Sequence, residues 1–427
     1  MNILFENIRL IDPVQKIDKV LNLHILDGKI HKISEEAIKK TDDMQIIEAS
    51  HLVAAPGFID MHVHLRDPGF SAKETIATGV AAAANGGFTE LVCMPNTSPA
   101  IDSLPIVYYI NKKAENLPVT VKIAATITKD REGLNLSPML ELNEAGVVYF
   151  TDDGSCVCSA EVMKRAFNFA TPNDLLLAQH CEEHSLTKNF SVNESETSIK
   201  LGLKGYPNIA EEIIIQRDLK LSEYTGNRRY HIQHISTRGA VDLVRDAKNK
   251  GLRVSTEVTP HHIYFTDEKI QSYDINFKMN PPLRQQEDID AIIAGIKDGT
   301  IDCIASDHAP HSQYERDVEF ENVPNGVIGL ETTLGAVLTK LHHQEKIELN
   351  KIIELLAINP RKIMKMEQVK IAENETANLT IFAPNEEWIV KKEKFKSKAI
   401  NSPFIDEKFI GKPKFIINNN KFITSEL

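Results

Sequence analysis

Through the middle of the chain, short apolar runs alternate with stretches whose apolar residues recur every three to four positions. The runs predict strands near 53–63, 89–94, 119–127, 146–152, 175–180, 229–235, 253–259 and 301–306. The intervening spacing predicts helices over 75–85, 105–116, 159–170, 209–225, 239–250 and 287–297. A buried parallel strand reads as a continuous apolar run, whereas an amphipathic helix shows a period near 3.6. Eight such alternations predict an α/β fold in which a parallel sheet closes into a (β/α)8 barrel over residues 53–369. A doubly wound open sheet is the alternative; it fits less well because no glycine-rich phosphate loop follows a strand.

The two ends carry a different pattern. Asn2 to Ile11 is a strand-like run, Leu21 to Leu26 leads into the Asp27-Gly28 turn, and Ala377 to Ala383 and Phe415 to Ile423 read the same way. An Asp-Gly pair between apolar runs is a hairpin signal. Neither end has enough strands to bury a core alone. Segments 1–52 and 370–427 are therefore expected to combine into one small composite β-sandwich domain.

Composition narrows the function classes. With 427 residues, 42% hydrophobic and 26% charged, the chain has the make-up of a globular protein with one large and one small domain. A net charge of −11 and the lack of a basic run argue against nucleic acid as a partner. No stretch approaches the roughly 18 apolar residues of a membrane span, and Glu6 sits where a signal peptide needs basic residues. Five cysteines without paired zinc spacing suit a reducing, cytoplasmic setting, and Cys156, Cys158 and Cys181 read as structural thiols.

Five of the apolar runs end in residues able to hold a metal. His62 and His64, two apart on a strand, fall on one face because side chains alternate with period two. His180 and His234 each end a buried-type strand, which in a barrel is the catalytic face. Asp307 follows the eighth strand, where a carboxylate can both ligate and shuttle protons. Asp153 is placed to bridge two cations, and Asp152, pointing elsewhere, is read as structural. His231, three before His234, and His184 are also read as structural. The donor set predicts Zn2+, one or two ions per subunit with two favoured, although imidazole and carboxylate also accept manganese or cobalt.

The string Pro56-Gly-Phe-Ile-Asp-Met-His-Val-His-Leu-Arg-Asp-Pro-Gly69 resembles the metal-binding signature of the amidohydrolase superfamily. With Cys93-Met-Pro-Asn-Thr97, Phe150-Thr-Asp-Asp-Gly154, Asn280-Pro-Pro-Leu-Arg284 and Ala305-Ser-Asp-His-Ala-Pro-His311, the chain most closely resembles dihydroorotases of the type I bacterial class. The resemblance implies reversible cyclisation of N-carbamoyl-L-aspartate to L-dihydroorotate in pyrimidine biosynthesis. It implies His62, His64 and Asp307 on one metal, His180 and His234 on a second, and Asp153 between them. It further implies Arg66, Asn96 and His311 on the substrate carboxylate, with His64, Asn280 and the backbone at Gly326 also touching substrate. A homodimer and an aspartate transcarbamoylase partner are compatible with the resemblance. Two departures stand out: Asn325 occupies a position that is commonly apolar, and the strand ending at Asp152-Asp153 has no lysine to carbamylate. Hydantoinases, dihydropyrimidinases and allantoinases would share the barrel on uncharged rings. A dihydroorotase-like scaffold of the transcarbamoylase would have lost ligands, and none of the six is missing here. The polar stretch 308–327 is long enough to cover a barrel mouth.

Overall fold

The structure, a computed structural model, describes all 427 residues. Eight parallel strands form one sheet in sequence order: Phe58–Val63, Phe88–Cys93, Thr120–Ala125, Tyr149–Phe150, Leu177–Gln179, Tyr230–Ile232, Val254–Val258 and Cys303–Ile304. The last meets the first through a parallel bridge between Val63 and His308, where His64 N donates to His308 O at 2.9 Å. The predicted barrel is the observed architecture. The six helices predicted from sequence lie within one or two residues of their expected bounds, for example Ile76–Asn85, capped by Thr75, and Arg238–Asn249, capped by Thr237. A capping hydroxyl accepts from an otherwise orphaned backbone N–H, which fixes where the helix starts.

Two apolar clusters hold the barrel. A set of 69 buried residues lies between sheet and helices, and 11 more, among them Met61, Met94, Tyr149 and Met364, fill the interior. The outer set includes helical segments 333–344 and 349–363, which the sequence reading did not anticipate. Their apolar residues are buried nearly all round, so the one-sided period that marks an amphipathic helix is missing.

The predicted strand 53–63 is two strands. Val53–Pro56 pairs with Asn2–Asp12 and Leu379–Ile389 in the sheet built from the chain ends, and only Phe58–Val63 enters the barrel. The break falls at Gly57, where a Cβ would sit 1.9 Å from Asn378 Oδ1 and 2.1 Å from Thr89 Oγ1. The end segments form one branched eight-stranded sheet: Asn2–Asp12 pairs with Gln45–Glu48 along its first half and Val53–Pro56 along its second. Seventeen buried residues from both ends make its core. No helix is long and apolar enough to cross a membrane.

Candidate active site

The barrel strands end around a cavity of about 260 Å³. Ten of the eleven site residues predicted from sequence line it: His64, Arg66, Asn96, Asp153, His180, His234, Asn280, Asp307, His311 and Gly326. The eleventh, His62, lies directly behind, fully buried. A larger groove of about 880 Å³ near Glu196, Lys200 and Gln285 has no convergent histidines.

Strand geometry accounts for the convergence. Val63, between the two histidines, packs in the outer core, so His62 and His64 both turn inward as period two demands. Arg66, His234 and Asp307 follow strand ends and hold positive φ angles of 60°, 28° and 46°. Such backbone costs roughly 1–3 kcal/mol per non-glycine residue and is characteristic of functional sites.

His62 Nε2 lies 3.3 Å from Asp153 Oδ1 and 3.6 Å from Asp307 Oδ1. His64 Nε2 lies 3.3 Å from Asp153 Oδ2 and 3.1 Å from Asp307 Oδ1. Across the site, His234 Nε2 is 3.5 Å and His180 Nδ1 4.0 Å from Asp153 Oδ1, and these two nitrogens are 2.9 Å apart. Two triads of donor atoms result, His62–His64–Asp153 and Asp153–His180–His234, each within 4.8 Å. Asp153 belongs to both. His62 Nε2 and Asp153 Oδ1 are buried without hydrogen-bond partners, a costly condition that a bound cation relieves. The donor set thus fits a divalent metal of the zinc class.

The second nitrogens of three of the four imidazoles are engaged behind the cluster, whereas His234 Nδ1 is buried without a hydrogen-bond partner. His62 Nδ1 meets Glu257 Oε1 at 2.6 Å, His64 Nδ1 meets Asn96 Oδ1 at 2.8 Å, and His180 Nε2 meets Glu182 Oε2 at 2.9 Å. Glu182 also accepts from Asn280 Nδ2 at 2.9 Å, joining the metal cluster to the cavity wall. Sequence reasoning missed Glu257 and Glu182. The signal was an acid inside the buried run Val254-Ser-Thr-Glu-Val258, and another two residues past His180.

Burial opposes ionisation of Asp153 and Asp307, yet neighbouring histidines hold both carboxyls well below the usual range. Burial likewise disfavours a charged His62, but Asp153 and Glu257 outweigh it and raise its pKa. Burial lowers Arg66 to about 10 and, with Arg66 adding repulsion, His311 to about 3. Arg66 is only 8% exposed, and no carboxylate of the chain forms an ion pair with it; its Nε donates to Pro310 O at 3.3 Å.

The residues read as structural lie outside the cavity lining. Asp152 accepts from Ile127 N and Thr128 N at 2.9 and 3.0 Å. His231 is fully buried against Glu257, and half-exposed His184 contacts Glu182 and the Cys156 backbone. Asn325 lines the cavity, and its carbonyl accepts from His311 Nε2 at 2.9 Å.

Stretch 308–327 is tied down at several points. Lys278 Nζ donates to Phe320 O and Glu321 O, both at 2.7 Å, and Lys73 pairs with Glu315 at 2.6 Å. From far along the chain, Asn401 Nδ2 donates to Ala309 O at 3.0 Å and Gly326 O at 2.9 Å, while its Oδ1 accepts from His311 N at 3.3 Å.

A sequence model of the family described as Dihydro-orotase-like matches residues 51–240. A dihydroorotase of Geotalea daltonii is 43% identical over 424 residues, 99% of each chain. One of Clostridioides difficile is 43% identical over 422 residues, again 99% of each. Among solved structures, the L-hydantoinase of Arthrobacter aurescens aligns with a TM-score of 0.87 over 100% of this chain and 96% of its own, at 21% identity. The dihydropyrimidinase of Brevibacillus agri aligns at 0.85 over 99% and 95%, at 20% identity. Likeness at that identity speaks for the fold alone.

Proposed function

Because the chain belongs to the dihydroorotase family, we propose that it is a metal-dependent cyclic amide hydrolase interconverting L-dihydroorotate and N-carbamoyl-L-aspartate in pyrimidine biosynthesis. The observation that carries the substrate is Arg66, a buried guanidinium in the cavity wall with no acidic partner. A ring bearing a carboxylate supplies that partner through two charge-assisted hydrogen bonds, and an uncharged ring does not.

In this reading His62, His64, Asp153, His180, His234 and Asp307 are the residues that would hold zinc, one ion or two, with Asp153 common to both donor triads. Bound zinc supplies Lewis acidity, lowering the pKa of water toward neutrality and polarising a carbonyl oxygen. Asp307, ionised at neutral pH, accepts a proton from the attacking water and returns it to the ring nitrogen as the amide C–N bond breaks. In the cyclising direction the same carboxylate takes the proton from the ureido nitrogen. Arg66, Asn96 and His311 hold the ring carboxylate. His311 donates Nε2–H to Asn325, leaving Nδ1 as its open nitrogen. Nδ1 is therefore the His311 nitrogen that faces an arriving carboxylate. Asn280, steadied by Glu182, and the backbone at Gly326 contact the rest of the ring. The complete ligand set argues against a catalytically silent scaffold.

The test is ring opening of dihydroorotate beside hydantoin and dihydrouracil, with metal content measured on the same sample. Dihydroorotate should be strongly preferred. Faster turnover of either uncharged ring would overturn the substrate, and full activity without divalent metal would overturn the chemistry.

A further inference from the structure

Behind the metal cluster lies a buried chain of polar side chains that the reaction as described does not use. Glu257 sits on strand Val254–Val258 and is 1% exposed. Its Oε1 is 2.6 Å from His62 Nδ1, its Oε2 is 3.2 Å from His231 Nε2, and His231 Nδ1 is 2.8 Å from Ser255 Oγ. His62 and His231 are both fully buried. His231, Glu257 and Cys303 have the mutual spacing of a metal triad. Both glutamate oxygens and both His231 nitrogens are already engaged, however, so the grouping reads as a hydrogen-bond relay, not a third cation site.

We propose that Glu257, braced by His231, is a positioning residue that fixes the His62 tautomer, protonated at Nδ1 with its Nε2 lone pair aimed at the metal. A neutral imidazole carries one N–H, and only its bare nitrogen can ligate. An ionised carboxylate accepts and never donates, so Glu257 at Nδ1 assigns the proton to that atom. Gln233 Nε2 offers a competing donor to Nδ1 at 3.3 Å; the shorter contact to a charged acceptor prevails. His231 supplies the second oxygen with a donor, so the carboxylate cannot turn away from His62. Partners of this kind raise ligand basicity and fix ring orientation, and removing them typically costs about 10–100-fold in metal affinity.

The inference rests on the metal reading above, and its test separates the two. Full-length wild type, Glu257→Gln and His231→Phe would be titrated with Zn2+ against a chromophoric chelator, without substrate. Imidazole 15N shifts would report the His62 tautomer. The glutamine isostere keeps the shape but loses the charge, and its amide can face His62 with either end. Zinc affinity should fall about 10–100-fold in Glu257→Gln, with Nδ1 protonation of His62 lost or mixed. His231→Phe should lower affinity in the same direction by a smaller factor. At saturating zinc, KM for dihydroorotate should be unchanged in both while kcat falls. Zinc affinity within twofold of wild type and an intact tautomer in Glu257→Gln would overturn the relay. Should Glu257→Gln fail to fold, His231→Phe decides alone, since unchanged affinity and tautomer there overturn it equally. A wild type that binds no zinc overturns the metal reading itself.

Discussion

Replacing Arg66 with methionine removes the guanidinium while keeping an unbranched chain in the same left-handed backbone, φ 60°. The wild-type residue is 8% exposed and has no carboxylate partner within the protein, so little of its charge is spent on the fold. Its binding partner is the substrate carboxylate. Truncating one member of a buried, hydrogen-bonded charge pair costs about 2–5 kcal/mol. The cavity opens to solvent, which leaves the anion some hydration and favours the lower part, about 2–4 kcal/mol. At 1.36 kcal/mol per tenfold, kcat/KM for dihydroorotate should drop roughly 30- to 1000-fold, chiefly through KM. Lysine at 66 should recover part of this, as a point charge without the fork. The assay is steady-state ring opening of dihydroorotate and dihydrouracil by both proteins. Because dihydrouracil has no carboxylate, its slow turnover should be nearly insensitive to the change. Equal losses on the two rings, or a dihydroorotate KM within threefold of wild type, would refute the clamp.

Asp307→Asn should lower kcat by about 10²–10⁴-fold while KM moves little, the signature of a lost proton carrier; near-normal turnover would remove Asp307 from the role. His261 is fully buried, and burial depresses its pKa from 6.5 to about 4. Its folded-state pKa lies below the unfolded value, so the unfolded chain binds the extra proton and stability falls as pH drops from 6.5 toward 4. His261→Gln should flatten that limb by up to about 3 kcal/mol, read as the difference from wild type between urea titrations at pH 8 and pH 4.5. Parallel pH dependence in the two proteins would count against it. Gly57→Ala forces a Cβ to 1.9 Å from Asn378 Oδ1, and overpacking of that kind should cost about 1–3 kcal/mol, visible as a lower Tm. An unchanged Tm would show that the junction yields more easily than its contacts indicate.

What could be read from sequence follows from what periodicity reports. His62 and His64 were legible because a two-residue spacing on a strand has one geometric meaning. His180, His234 and Asp307 were legible because apolar runs ended at them. The strand break at Gly57 was not, since Val53 to Val63 is one apolar run whether or not it changes sheets midway. The helices of 333–363 escaped because burial on all sides erases the helical period. Glu257 and Glu182 went unassigned because an acid behind a ligand has no spacing signature; only the folded structure shows which nitrogen it faces. Asn401 is beyond any local pattern, lying 90 residues from His311 in sequence.

Asn401 carries a consequence for how this protein comes into being. One amide stitches Ala309, His311 and Gly326 together, and it leaves the ribosome after every barrel strand has been made. During synthesis all eight strands therefore exist while one wall of the pocket still lacks its fastener. A full-length Asn401→Leu chain would be expected to keep its metal ligands yet grip the ring carboxylate poorly. Such a variant makes metal retention a misleading proxy for a finished catalyst.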